Sequence, residues 1–286
     1  MATASFQLNQ QIDFAHRKSE TEGLYLDLIK RCLVNLIYGD LEAWPVEPKR
    51  FLKRMLVSIF RARGLKLVWD RPYDPQARLD GGSWPAGAHT MLGIKRLDNL
   101  QFCVEDVLSR KVPGDLIETG VWRGGATIFM RAILKVHGVT DRVVWVADSF
   151  SGLPPPNPDR YPADAGDPHH QIKLLAVSLA EVRSNFEKYG LLDNQVRFLP
   201  GWFSQTLPAA PINRLAVIRL DGDMYESTMD ALTALYPKLS GNGYLIVDDY
   251  ELPGCKQAVD DYRKAHKIRE RIVSIDNSAV YWQRAG

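Results

Sequence analysis

The stretch Asp115-Leu116-Ile117-Glu118-Thr119-Gly120-Val121-Trp122-Arg123-Gly124-Gly125 runs directly into Ala126 to Val136, and its reading decides the fold. Asp115 to Glu118 is a short strand, the glycines make a tight turn, and 126–136 is a helix. Strand, glycine turn and helix in immediate succession open a βαβ unit. The same grammar repeats downstream. Strands are read at Arg142 to Ala147, Gln195 to Leu199, Arg214 to Leu220 and Tyr244 to Val247. Helices are read at about Leu174 to Tyr189, Glu226 to Leu239 and Cys255 to His266, with Arg271 to Ile275 and Ala279 to Gln283 as a closing antiparallel pair. This alternation predicts an α/β fold, a doubly wound, mostly parallel Rossmann-like sheet with helices on both faces.

In such a sheet, ligands bind outside the carboxyl ends of the strands. Two acids end the first two strands. Glu118 precedes the glycine turn and suits a cationic or amino-bearing ligand. Trp122 stands where a dinucleotide fingerprint would place its second glycine, which argues against a pyrophosphate on the backbone. Asp148 ends the second strand, where a carboxylate can accept hydrogen bonds from two vicinal ribose hydroxyls. Together they read as a nucleoside-type ligand site.

The next two strands end more acidically. Leu220-Asp221-Gly222-Asp223 terminates one and Val247-Asp248-Asp249 the other. Single Asp-Gly or Asp-Asp pairs commonly serve turns and helix caps. Two pairs on consecutive strand ends crowd four carboxylates, which calls for a cation between them. Oxygen ligands suit Mg²⁺, and also Mn²⁺ or Ca²⁺; the lack of clustered His and Cys argues against zinc. In an extended segment, 221 and 223 would point to the same side, one to the metal and one to the substrate.

Upstream, Tyr25 to Ile37 and Phe51 to Phe60 carry helical apolar spacing, and a further helix is read from about Met91 to Leu108. The second of these is basic, with Lys49, Arg50, Lys53, Arg54, Arg61, Arg63 and Lys66. It is read as a solvated basic face over a packed apolar one, the other reading being a helix that meets a membrane or acidic partner. Trp69 to Ala88 is read as a loop. The domain expectation is therefore a helical extension and linker over residues 1–88, carrying oligomer contacts or substrate cover, and a catalytic domain over 89–286. Ser149 to His170, rich in Pro and Asp, is long for a loop and reads as a lid. Its His169 and His170 are read as a solvated pair, with contact to substrate or a role as alternative base as the second reading.

Composition narrows the function classes. Thirty-six Lys and Arg against 34 Asp and Glu leave a net charge of +2, no footprint for nucleic acid. The three cysteines form no CxxC pair, and their odd number suits a reducing compartment. Met1 to Asp13 carries no secretory pattern, and no apolar run approaches a membrane span. These features lead to the expectation of a cytoplasmic protein.

In order and spacing, ETGVWRGG, VADSF, GWF, LDGDMYEST and IVDDY resemble the macrocin O-methyltransferase (TylF) family. The resemblance covers Thr90 to Tyr281, about two-thirds of the chain, and includes TMLG at 90–93 and RLDNL at 96–100. It implies a class I methyltransferase sheet, S-adenosylmethionine as methyl donor and Mg²⁺ as metal. The implied acceptor is a natural-product hydroxyl with a hydroxyl neighbour, above all on a deoxysugar. It further implies that Glu118, Gly120 and Gly124 surround the methionine part of the donor. Asp148 and Ser149 would hold the ribose, and Gly201 and Trp202 would lie near the adenine. Thr90 and Met91 would close over it. Asp221, Asp248 and Asp249 would bind the metal and Asp223 would be the general base. A phenol or other polyol as acceptor, a metal-dependent phosphoesterase, and a non-catalytic nucleoside-binding protein are the competing readings. A homo-oligomer is expected from the apolar N-terminal helices.

Overall fold

The structure, a computed structural model, describes residues 20–39, 44–46, 48, 50–69, 74–82 and 87–286. The Met1 to Asp13 stretch, Lys49 and Arg71 lie outside them. Among the described residues, no helix is long and apolar enough to cross a membrane.

The main sheet is built from β3 (Asp115–Thr119), β4 (Val144–Asp148), β5 (Val196–Pro200), β6 (Leu215–Leu220), β7 (Leu239–Val247), β8 (Val273–Ser274) and β9 (Val280–Gln283). Their spatial order is β5-β4-β3-β6-β7-β9-β8. The first five are parallel; β9 runs antiparallel beside β7, and β8 pairs antiparallel with β9. The order reverses between β3 and β6, so a crevice opens at their carboxyl ends.

Both faces of the sheet are covered, which is why its strands are almost continuously apolar. On β3, Leu116 enters the core under α4 (Ile94–Ser109) and α5 (Gly125–Val136), while Ile117 enters the opposite core. That second core is closed by α7 (Phe203–Ala209), α8 (Tyr225–Leu235) and α9 (Pro253–Ala265). The strand period of two thus distributes neighbouring side chains between two layers.

Several boundaries differ from the sequence reading. The helix read from Leu174 is α6 (Leu179–Lys188), because Ser178 caps it by accepting from Glu181 N at 3.2 Å. Short 3₁₀ turns occupy Lys173–Leu175 and His169–Gln171 instead. The helix read to Leu239 ends at Leu235, and β7 begins at Leu239. Helix α7 went unread: Pro208 sits inside it, and proline normally argues against a helix interior.

The extension holds a helix at 20–33 (α1), a two-stranded pair of β1 (Trp44–Pro45) with β2 (Val68–Trp69), α2 (Phe51–Ala62) and α3 (Pro75–Asp80). Leu26, Ile29 and Leu33 of α1 join the core over α4 and α5. α3 interrupts the stretch read as a loop, and Asp74 caps it by accepting from Ala77 N at 3.0 Å. α2 forms where its apolar spacing places it, but the expected packing is absent. None of its residues is buried; Phe51 is 79% exposed and Leu52 72%. Among the described residues, its flanking strands β1 and β2 pair with each other and with no strand of the main sheet.

Candidate active site

The carboxyl ends of β3, β4, β6 and β7 open into one cavity of about 630 Å³. Glu118, Asp148, Asp221, Asp223, Asp248 and Asp249 all face it. The walls at β3 and β6 meet through a glycine. Gly120 has φ +81°, and a Cβ there would lie 1.6 Å from the Asp221 carbonyl oxygen. Any side chain would drive the two strand ends apart.

On the β3–β4 side, the turn is held by Asp148. Its Oδ2 accepts from Val121 N and its Oδ1 from Phe150 N, each at 2.7 Å. Burial raises the Asp148 pKa, while these amides act in the opposite direction. Trp122 sits in the left-handed region at φ +47°, unusual for a bulky residue. Its indole Nε1 donates to Leu174 O at 2.8 Å, and the Arg123 guanidinium lies 4.3 Å from its ring centre. Both contacts hold the strained turn in place.

Glu118 is only 2% exposed. Its Oε1 pairs with Arg219 Nη1, and its Oε2 is buried with no hydrogen-bond partner. Burial pushes its pKa up to about 8, against the favourable charge of Arg219. An unpaired, buried carboxylate oxygen on the cavity wall fits the ammonium of an amino-acid ligand.

The metal-type cluster is on the β6–β7 side. One oxygen each from Asp221, Asp248 and Asp249 lies within 4.8 Å of the others, a spacing that one divalent ion can bridge. Burial pushes Asp249 well above the usual carboxylate range, and the charges of Asp223, Asp221 and Asp248 add to it. Asp221 is raised for the same first reason, with Arg219 opposing and Asp248 assisting. An all-oxygen donor set whose charges repel one another fits a hard divalent cation.

Asp223 reaches this cluster by an unexpected route. The segment is not extended; Asp223 has φ +56°, and its backbone N donates to Asp249 Oδ2 at 3.0 Å. A left-handed turn, not strand alternation, brings it to the cavity. Asp tolerates that conformation better than most residues. Burial raises its pKa to about 7; Asp221 adds to the shift and His169 opposes it.

Sequence reading missed the countercharges. Arg219, fully buried in β6, binds Asp221 Oδ2 at 2.8 Å and lies 2.6 Å from Asp248 Oδ1. Burial alone would lower its pKa, but Asp248, Asp221 and Glu118 hold it well above normal. Arg96 of α4 adds a second cation, 2.7 Å from Asp248 Oδ2 and 2.7 Å from Asp276 Oδ2. The available signal was Arg219 itself, a charge set between Ile218 and Leu220 within the apolar strand LAVIRL.

The remaining expected residues divide. Thr90, Met91, Ser149, Gly201 and Trp202 wall the cavity. Gly124 does not. It precedes α5 at φ +87°, and a Cβ there would lie 2.8 Å from Val182 Cγ1, so the close packing of α6 on this turn needs a glycine. The histidine pair also divides: His169 faces the cavity, contrary to the solvated-loop reading, whereas His170 is not part of its wall.

The strand order, with an antiparallel strand inserted beside β7, is that of a class I methyltransferase. The profile described as Macrocin-O-methyltransferase (TylF) matches residues 22–284. The chain is 51% identical over 275 residues to demethyldecarbamoylnovobiocin O-methyltransferase of Streptomyces niveus, covering 96% of this chain and 98% of that protein. It is 52% identical over 265 residues to 8-demethyl-8-(2,3-dimethoxy-alpha-L-rhamnosyl)-tetracenomycin-C 4'-O-methyltransferase of Streptomyces olivaceus, covering 92% and 94%. The solved structure of the O-methyltransferase NovP is 50% identical and superposes with a TM-score of 0.81, covering 93% of this chain and all of that one. This chain belongs to the macrocin O-methyltransferase family and is an S-adenosylmethionine-dependent O-methyltransferase. The phosphoesterase and non-catalytic readings fall away.

Proposed function

We propose that the enzyme is Mg²⁺-dependent and methylates a hydroxyl of a deoxysugar borne by a glycosylated natural product, with Asp223 as general base. The observation that carries this reading is the sharing of one cavity by the Asp221, Asp248 and Asp249 cluster and the Glu118 and Asp148 wall. The named rhamnosyl substrate of one relative supports a sugar acceptor.

Asp221, Asp248 and Asp249 would hold Mg²⁺, which would supply charge to acidify a nearby hydroxyl, and S-adenosylmethionine would supply the methyl group from its sulfonium. The chain's own residues do the rest. Glu118 Oε2 accepts from the donor's amino group, and Asp148 accepts from its ribose hydroxyls. Thr90, Met91, Gly201 and Trp202 enclose the donor and limit water. Such positioning supplies most of the rate in an in-line transfer. Asp223 takes the hydroxyl proton as the oxygen–carbon bond forms and the carbon–sulfur bond breaks, with S-adenosylhomocysteine as the leaving group. Arg219 keeps Glu118 and Asp221 in place from behind. The first ~88 residues are assigned to acceptor cover and to contacts within a homo-oligomer.

Incubating the full chain with S-adenosylmethionine, Mg²⁺ and demethyldecarbamoylnovobiocin or the rhamnosylated tetracenomycin tests this reading. Methylated sugar should appear, vanish in EDTA and return with Mg²⁺. Full turnover in chelator would remove the metal, and methylation of an aglycone phenol would remove the sugar.

A further inference from the structure

The long loop after β4 carries an arrangement that the reading above does not use. Asp167 and His169 form a side-chain pair, with His169 Nδ1 2.9 Å from Asp167 Oδ1 and 3.1 Å from Oδ2. The same carboxylate accepts from His169 backbone N at 2.8 Å, so main chain and ring are held together. A 3₁₀ turn over His169–Gln171 stiffens the backbone, and Asp167 O lies 3.2 Å from His170 Nδ1. The loop is anchored to the site as well. Buried Asp164 accepts from Tyr225 N at 2.7 Å and Glu226 N at 3.0 Å, at the start of the helix that follows Asp223.

This geometry decides the ring's chemistry. An ionised carboxylate only accepts hydrogen bonds, so Nδ1 carries the proton toward Asp167. In the neutral ring, Nε2 then presents a lone pair. The His169 ring belongs to the wall of the cavity that Asp223 also lines. A half-buried acceptor beside the reaction centre is matched by a hydroxyl donor.

Resting on the reading of a sugar acceptor, we propose that His169 Nε2 accepts a hydrogen bond from a hydroxyl of the methyl acceptor, with Asp167 as the residue that positions the ring. A site built around such a bond favours acceptors that carry the hydroxyl over analogues that lack it. His169 thereby selects the acceptor, and the donor half of the cavity is indifferent to it.

Steady-state kinetics on the full chain with S-adenosylmethionine, Mg²⁺ and demethyldecarbamoylnovobiocin test this. His169→Phe should raise the acceptor KM about tenfold, the cost of one hydrogen bond, and leave the donor KM unchanged. Asp167→Ala should shift the acceptor KM in the same direction, and Asp167→Asn should restore part of it. An unchanged acceptor KM in His169→Phe, or an equal rise in both KM values, overturns the assignment. If the unaltered chain does not methylate this probe, the acceptor reading fails first. His169 is then judged by imidazole nitrogen-15 spectra of the S-adenosylhomocysteine complex titrated with methyl α-L-rhamnopyranoside. A proton on Nδ1 and a sugar-dependent shift at Nε2 uphold it; a proton on Nε2, or no shift at saturation, overturns it.

Discussion

Arg219 and Asp221, two residues apart at the end of β6, are bonded to each other, with Nη1 2.8 Å from Oδ2. The strand that delivers a metal-type acid therefore also delivers its countercharge. The same guanidinium reaches Glu118 on β3 and Asp248 beyond β7, so one buried cation ties three strand ends together. Arg219→Leu removes the countercharge of two buried acids, Glu118 and Asp248, and of the half-buried Asp221. It should cost about 3–5 kcal/mol, read by urea unfolding. Arg219→Lys should be intermediate, since one ammonium cannot match the fork of a guanidinium.

The acids make stability depend on pH in a definite direction. Glu118 is raised to about 8 and Asp223 to about 7, and Asp221 and Asp249 are raised too. Between their ordinary values near 4 and these folded values, the folded chain binds protons that the unfolded chain has released. Stability without metal should therefore fall as pH rises through that window. A divalent ion competes with those protons, so the melting-temperature gain from Mg²⁺ should be larger at about pH 8 than at about pH 6. Thermal melts across that range check it; an equal gain at both would argue against the cluster as the ion's site.

Asp223→Asn should reduce turnover by about 10²–10⁴-fold, the usual contribution of a general base. Calorimetric binding of S-adenosylhomocysteine should survive, because Asp148 and Glu118 are untouched. An asparagine also tolerates the left-handed backbone at φ +56°, so the loss would be chemical and not conformational. Near-normal turnover would assign the proton to another group.

Gly120→Ala should disrupt both halves of the site at once. The added carbon meets the Asp221 carbonyl, and the backbone at φ +81° is strained for alanine. A loss of about 3 kcal/mol or more is expected by denaturant unfolding, with donor and Mg²⁺ affinity falling together.

Asp164→Ala removes two bonds from the start of α8, the helix after Asp223. The loss should be about 1–2 kcal/mol, the scale of a helix cap. Faster tryptic cleavage at Arg160 in the same variant would report a released loop.

The sheet was legible in sequence because apolar runs such as RVVWVA and RLAVIRL are short, end in acids and alternate with helical spacing. The acids themselves were legible for the same reason: each interrupts an apolar run at its carboxyl end. What escaped depended on long-range partners. Arg219 could be seen as a charge in a strand, but its three acidic neighbours come from β3, β6 and the end of β7. Asp164 meets α8 across 61 residues. Helix α7 escaped because Pro208 breaks the local rule. Gly124 lies off the cavity wall, and a glycine facing a ligand and one making room for Val182 look alike in a string. Asp223 was correctly placed at the cavity for the wrong reason, because a left-handed turn cannot be told from an extended one by spacing.

The contact of Gly120 with Asp221 has a bearing on how this enzyme could diverge. The ends of β3 and β6 share a seam with no slack, so neither the Glu118 wall nor the acidic cluster can be remodelled without disturbing the other. The loop bearing Asp167 and His169 is anchored elsewhere, through Asp164 at the start of α8. New acceptors should therefore be reached by rewriting this loop, with the strand ends left unaltered.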